Sequence, residues 1–557
     1  MNVILSPGMV DEPTMTERKP NVGTFRVDFN GATVGLFDVD ADGGYVWTVK
    51  DAALDAHFPK SRFSDLPATI HNLHPDLGIF GQLLQVDTKE GFIGTGIKCL
   101  SGIRVFPMAD KLKGEFVQRG QRLDIRASAL ANVTSPEGAF TGIYAGPQGM
   151  AGTPEFNQVL TDQWVGRFNH RFSGKQTKMP GFLNGEVISP AVDRLAFTHF
   201  IKYPSAGGRE GDGVLEWAGL RMARATGIEV NDFALVPQGD KLPPAIVVER
   251  FDIPHNAEDL QKEWLLLQDF YSIMGEDPMN DSRSRSPLLF RYDDLLSGWI
   301  KYCDKNDPAS TEKNAKAFLT RMFTSWAAND ADLHAKNMST LINIDPHTKQ
   351  IKSVEFSPAY DICTSTLCGT DGEPMYYNLN KKKGQAFEGN PPRILNMNDF
   401  MEFLKSPKVS VGGKPYCVFS TEDEAKSFIR DIASKVAFEA VECCKALPAM
   451  QKDSEWGPLM NMEMQHLAVI ALKRAKSIGA DVPDVTFDPR LNKAIQKYGA
   501  KARRDAFDRS GMGIQYRDIF ENGTALARDL AAPVVNTKPT TPPHNKLTQG
   551  APASPAI

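Results

Sequence analysis

Residues 329–337 read NDADLHAKN and place a carboxylate, Asp332, five positions ahead of an amide, Asn337. Phosphoryl transfer needs a carboxylate beside the acceptor hydroxyl, to orient it and take its proton. It also needs a second carboxylate and an amide oxygen to hold the magnesium ions. Asp332 and Asn337 have the D-x-x-x-x-N spacing of a protein-kinase catalytic loop, and Asp361, in SPAYDICTS, stands where the second carboxylate is required. Two strand-like runs lie between them, 338–344 and 351–356, joined by a turn around Asp345-Pro346. A hairpin brings its ends together, so Asn337 and Asp361 are expected close in space although 24 apart in sequence. Neither H-R-D nor D-F-G occurs here, so a kinase built on these loops is atypical.

The upstream half offers the remaining parts. Lys202, ending the strand-like FTHFIK, is placed to reach nucleotide phosphates. Ser173-Gly174-Lys175-Gln176 can present backbone amides over phosphates, with Lys178 adding charge. AIVVERFD (245–252) can connect sheet to helices past an adenine. A different chemistry is also open. Asp330, Asp332 and His334 alternate carboxylate and imidazole, as a metal-dependent hydrolase or nuclease requires, but no H-x-H pair accompanies them. A third reading is a kinase fold that serves as a non-catalytic corepressor subunit.

The elements that must position these groups can be read from periodicity. Residues 24–49 alternate like strands, with turns at Asn30-Gly31 and Asp42-Gly43-Gly44. The Gly-rich stretch 135–155 reads as a long loop. Strands flank Asn184-Gly185, and others cover 197–203, 233–237 and 245–251, around an amphipathic helix at 214–226 closed by Gly227. After Asp252 the pattern turns mostly helical. The apolar stripe Ala315, Phe318, Leu319, Met322, Phe323, Trp326 marks one helix, 423–447 a second with Ser420 as N-cap, and 459–478 a third. Glu216 is expected on a solvated helix face rather than paired with Lys202, and Arg250 as a salt-bridged surface residue. Lys381-Lys382-Lys383 and the basic face of 491–504 read as solvated.

Composition bounds the function classes. The 557 residues carry 63 basic and 68 acidic side chains, a net charge of −5, which excludes a generic polybasic nucleic-acid binder. No run approaches a membrane-spanning length, and the N-terminal sequence has no secretory pattern. The seven cysteines form no C-x-x-C pair, and the five-residue Cys363/Cys368 spacing has no second pair, so a reducing cytoplasm is expected.

Four segments, in order, resemble the HipA family of serine/threonine kinase toxins: SGKQTK (173–178), THFIKYP (198–204), VERFD (248–252), and DLHAKN (332–337) with PAYD (358–361). The resemblance implies that Asp332 is the catalytic base and that Asn337 and Asp361 bind magnesium. It implies that Lys202 contacts the ATP phosphates, Glu249 and Phe251 line the adenine hinge with Asp252 at its edge, and Ser173, Gly174, Gln176 and Lys178 belong to the phosphate loop. His334 has a supporting role beside them. Two positions depart from the family pattern. Asp330 stands where the family usually has Asn, and could raise a neighbouring pKa or recruit metal. Arg171 stands where the family often has an autophosphorylated serine, leaving Ser173 as an alternative acceptor.

The fold implied is α+β and kinase-like, a small β-rich N-lobe (166–252) and a larger helical C-lobe (253–530). An added N-terminal β-rich subdomain (23–165) and disordered tails (1–22 and 531–557) complete the expected organisation. The resemblance further implies ATP and Mg2+ as cofactors and a protein substrate, in this family an aminoacyl-tRNA synthetase. It also implies a HipB-like helix-turn-helix antitoxin, with DNA contacted only through that antitoxin, and no membrane.

Overall fold

The computed structural model describes residues 23–29, 32–39, 45–62, 66–71, 97–98, 103–107, 128–151, 153–160, 178–190, 198–204, 211–239, 242–251, 264–276, 290–330, 332–362, 364, 395–405, 409–411, 414–451, 457–491 and 533–535. The 1–22 tail, Lys381-Lys382-Lys383 and all of the basic 491–504 stretch except Leu491 lie outside these residues.

Strands β1 (Gly23–Phe29), β2 (Ala32–Val39), β3 (Tyr45–Val49), β4 (Ile97–Lys98) and β5 (Ile103–Pro107) form an antiparallel sheet in the order β3-β2-β1-β5-β4. Phe25, Val27 and Phe29 alternate onto its buried face, where Phe25 stacks on Phe37 at 5.0 Å. The segment that follows β3 ties this sheet to the rest of the chain. His57 donates from Nε2 to the Lys349 carbonyl (2.5 Å), and Arg62 pairs with Glu276 (3.2 Å).

The second sheet contains β6 (Ile143–Tyr144), β7 (Lys178–Asn184), β8 (Val187–Pro190), β9 (His199–Lys202), β10 (Phe233–Val236) and β11 (Ala245–Glu249), in the order β10-β11-β9-β7-β8-β6. The β7–β8 turn uses Gly185 at φ 59°, as Asn184-Gly185 foretold. This sheet is buried on both faces. Phe233, Leu235, Ile246 and Val248 belong to one core with the helix Asp212–Ala225, while Ala234, Val236, Ala245 and Val247 belong to another. Leu130, Val133, Phe140 and Phe156 supply the far side of that second core. The stretch read as a loop, 135–155, is therefore a packed cover containing β6. Its apolar residues contact the sheet from irregular backbone, which leaves no periodic signal to read.

Strands β12 (Trp264–Asp269), β13 (Ser339–Ile344) and β14 (Ile351–Phe356) form a third antiparallel sheet. β12 corrects the helical reading after Asp252: WLLL is a continuous apolar run, whose period does not separate a buried strand from a helix. The helix Thr311–Ala327 packs on this sheet through Phe318 and covers the edge of β14. Asn314 donates to the Val354 carbonyl (2.7 Å) and accepts from the Phe356 amide (3.0 Å), so the strand edge is satisfied by a buried side chain.

The long helices Glu422–Gln451 and Gly457–Ser477 pack against each other and against Thr311–Ala327. The first is capped one residue later than expected: Thr421 accepts the Glu424 amide (3.1 Å), and Glu424 reaches back to accept the amide of Ser420 (2.9 Å), the residue before the cap. Within the stretch expected to be unstructured, Val534–Val535 pairs with Val485–Thr486. Two β-branched residues in a row make an adequate short strand where a partner edge is available. Among the described residues no helix is long and apolar enough to cross a membrane. The architecture is mixed α and β, with the long helices gathered in the C-terminal half.

Candidate active site

The segment that carries Asp332 begins where the helix Thr311–Ala327 ends. Asn329 turns the chain through the left-handed region (φ 58°), a conformation Asn tolerates better than most residues. Asp330 is then buried with both oxygens engaged. One accepts from Ser325 (2.7 Å) and Arg321 (3.1 Å), and the other from the Asp332 backbone amide (3.1 Å). Asp330 is therefore a brace under Asp332 and is not free to ligate metal, which removes the Asp330–Asp332–His334 hydrolase site. Among the described residues, no group of three or more His, Cys, Asp or Glu is arranged to hold a metal ion.

Asn337 closes the loop. Its Nδ2 donates to the Asp332 carbonyl (2.8 Å) and lies 3.4 Å from the Asp332 carboxylate. His334 accepts the Lys336 amide at Nδ1 (3.2 Å), which assigns the ring proton of its neutral form to Nε2. That nitrogen faces the Asp332 carboxylate at 3.6 Å. Asp332 is half-buried, and its pKa is raised by desolvation, reinforced by Asp330 and Asp361 and opposed by His334.

The β13–β14 hairpin brings the second loop alongside. Tyr360 donates its hydroxyl to the Lys336 carbonyl (3.0 Å) and bonds Ser339 (2.6 Å). Asn337 and Asp361 each follow one of the residues joined in that contact, as a hairpin requires. Arg321 also reaches the Tyr360 carbonyl (3.3 Å), so one buried guanidinium spans both loops. Asp361 adopts φ 51°, a left-handed conformation that costs on the order of 1 kcal/mol. Behind it, Ile362 lies against Gly219, where a Cβ would meet Ile362 Cγ2 at 2.6 Å.

The sheet supplies the cations. Lys178 and Lys202 are directly opposed on β7 and β9, so their side chains share a face. Lys202 Nζ donates to Asp361 Oδ1 (2.8 Å) and Glu216 Oε1 (2.5 Å), and Lys178 Nζ lies 3.9 Å from the same Asp361 oxygen. Burial alone would raise the Asp361 carboxyl. The two lysines outweigh it and hold the group well below the usual carboxylate range. Burial would likewise lower Lys202, but Asp361 and Glu216 outweigh it and keep the ammonium charged. Glu216, the most buried of the three, is pushed up by desolvation against the opposing pull of Lys202. The expectation of a solvated Glu216 is thus corrected: it is 3 % exposed and paired with Lys202. Helical periodicity reports which face is apolar and cannot report a buried ion pair across an inter-element gap.

Phe251 stacks near Tyr360, ring centroids 5.3 Å apart, which brings the end of the connector beside the Asp361 loop. Glu249 ends β11, and its amide donates to the Asp232 carbonyl (2.8 Å). Arg250 is buried rather than a surface residue, its amide held by the Thr198 carbonyl (2.8 Å). Ser173, Gly174, Gln176 and Asp252 lie outside the described residues. Residues that sequence reasoning missed are Arg321 and Tyr360, which join the two loops. Arg321 lies on the buried helix face, where a cation carries no pattern of its own, and Tyr360 sits unremarked inside PAYD.

Two consequences are measurable. Arg321→Met leaves Asp330 buried without its cation, and is expected to cost about 3–5 kcal/mol in urea unfolding. A loss below 1 kcal/mol would show that the brace is dispensable. Gly219→Val drives a branched side chain into Ile362, so melting temperature should fall. A wild-type value would mean the helix and the Asp361 loop do not need this close approach.

Residues 171–440 match the model of the HipA-like C-terminal domain family. The structure resembles Shewanella oneidensis MR-1 HipA, solved in a toxin–antitoxin complex with HipB and operator DNA. The TM-score is 0.51 at 16% identity, covering 82% of this chain and 97% of that one. A weaker likeness, TM-score 0.32 at 12% identity, is to the Helicobacter pylori proinflammatory kinase CtkA, covering 65% of this chain and 98% of that one. No curated protein matches the sequence.

Proposed function

With residues 171–440 belonging to the HipA-like C-terminal domain family, we propose that the chain is an ATP- and Mg2+-dependent protein serine/threonine kinase. The observation that carries the reading is the convergence of Lys202, Glu216 and Asp361 from a strand, a helix and a loop, with Asp332 and Asn337 on the adjoining loop. In this reading 166–252 is the nucleotide lobe, 253–530 the helical lobe, and 23–165 an added β-rich subdomain.

The donor set fits magnesium. Asp361 is held ionised, and Asn337, whose Nδ2 is engaged by Asp332, keeps its carbonyl oxygen as the atom for a hard cation. Bound there, the metal would neutralise charge on the transferring phosphoryl group. Lys202 and Lys178 hold the nucleotide phosphates electrostatically, and Glu249 and Phe251 receive the adenine. Asp332 accepts the proton of the substrate hydroxyl, its basicity increased by its surroundings. Asp330 fixes its backbone, and His334 faces its carboxylate.

The substrate is a protein serine or threonine, with an aminoacyl-tRNA synthetase as the family's target. A HipB-like helix-turn-helix antitoxin in the cytoplasm would restrain the activity and provide any contact with DNA. Incubation with γ-labelled ATP and magnesium, alone and with cell extract, tests the chemistry. Label should appear on protein and vanish in Asp332→Ala and Asp361→Ala. Label surviving both changes removes the kinase, and complex formation with a DNA-binding protein without ATP binding would favour the corepressor role.

A further inference from the structure

We propose that Arg474, on the helix Gly457–Ser477 and outside the family-matched residues 171–440, is a positioning residue that sets Asp332 for catalysis. The proposal rests on the kinase reading above. Its physical basis is a continuous set of contacts from a distant helix into the catalytic loop.

A helix leaves its last carbonyls without intrahelical partners, and the direction of the chain beyond them is set by whatever satisfies those groups. Here Thr311–Ala327 ends, and the Trp326 carbonyl receives the Asn329 amide (3.2 Å) and one guanidinium nitrogen of Arg474. The other terminal nitrogen donates to Asn329 Oδ1 (2.8 Å), and the guanidinium lies over the Trp326 ring at 5.9 Å. Arg474 is buried. A planar fork that holds a carbonyl and an amide oxygen together fixes both in direction as well as distance.

Asn329 is the residue in the left-handed conformation at which the chain leaves the helix. The next residue, Asp330, carries the Asp332 amide on its carboxylate. Arg474 therefore acts on Asn329, Asn329 fixes the entry of Asp330, and Asp330 fixes the backbone of the base. Arg474 lies in the C-terminal helix pair, so that pair sets the loop as well as packing the core. Loss of this support displaces the base, while Lys202, Glu216 and the hinge stay where they are.

Arg474→Met keeps the aliphatic length and removes the fork. It should lower kcat for phosphoryl transfer about tenfold or more, since small misplacements of reacting groups are costly, with KM for ATP within twofold. Arg474→Lys should recover part of the loss. Asn329→Gly retains the backbone conformation without Oδ1 and should reproduce the Arg474→Met loss, with the double variant no worse than either single one. Amide hydrogen exchange across 330–337 should quicken in Arg474→Met without any substrate present.

A kcat within twofold of wild type, fully additive losses, or unchanged exchange in 330–337 would each overturn the proposal. So would a variant that melts lower but retains wild-type kcat per folded molecule. Should Arg474→Met fail to fold, Arg474→Lys and Asn329→Gly carry the same comparison. A wild-type protein inactive with ATP would instead sink the kinase reading, and exchange would still decide the role of Arg474.

Discussion

Asp332→Asn is expected to reduce turnover for protein phosphorylation by about 10²–10⁴-fold while leaving ATP affinity within a few fold, the range associated with losing a positioned general base. The substitution is nearly isosteric, so the backbone contacts that shape the loop survive: the Asp332 amide on Asp330 and the Asp332 carbonyl accepting from Asn337. What disappears is the carboxylate itself. Its proton affinity is raised by desolvation first and then by Asp330 and Asp361, and that affinity is what a base taking a hydroxyl proton requires. Steady-state kinetics with a fixed protein acceptor, alongside equilibrium nucleotide binding, separates the two quantities. Turnover within threefold of wild type would mean that Asp332 is not the base, whatever its position.

Lys202→Met is expected to damage both stability and nucleotide binding. Lys202 donates to both Glu216 and Asp361, and its side chain is 8 % exposed. Without it the buried Glu216 and the half-buried Asp361 face each other, with Lys178, 3.9 Å from Asp361, offsetting part of the loss at both. Removing one member of a buried pair costs about 3–5 kcal/mol, because the charge left behind has lost its partner. Glu216, already pushed up by burial, would take a proton more readily once the lysine is gone.

The double variant Lys202→Met with Glu216→Gln removes one of the stranded charges. It should regain much of the stability and none of the ATP affinity. Thermal unfolding and titration with a fluorescent nucleotide give the two readouts. Wild-type melting with unchanged nucleotide affinity in Lys202→Met would show that the ion-paired cluster is not a phosphate site.

Much of the local structure was legible because its causes are local. The turn at Asn184-Gly185 follows from residues that accept positive φ, and the hairpin of β13 and β14 follows from two apolar runs around Asp345-Pro346. The stripe from Ala315 to Trp326 needed only the period of a helix to be recognised. The grouping of the candidate residues was legible for a similar reason: spacing within one loop sets Asp332 beside Asn337, and the hairpin brings the Asp361 loop alongside.

What the chain alone left open are groups whose state depends on elements distant in sequence. Glu216 has the same neighbours in sequence whether it faces water or Lys202, and only the packing of its helix on the sheet decides between them. Asp330 has the sequence setting of a metal ligand, but Arg321 and Ser325 occupy one of its oxygens and the Asp332 amide the other. The cover built from residues 130–156 has no periodicity because irregular backbone places its side chains one at a time. Arg474, more than a hundred residues beyond Asp332, meets the catalytic loop only after two long helices have folded back on the first. The physical distinction is between interactions whose range is a turn or a hairpin, set by dihedral preference and residue order, and buried polar contacts, set by which surfaces the hydrophobic core brings together.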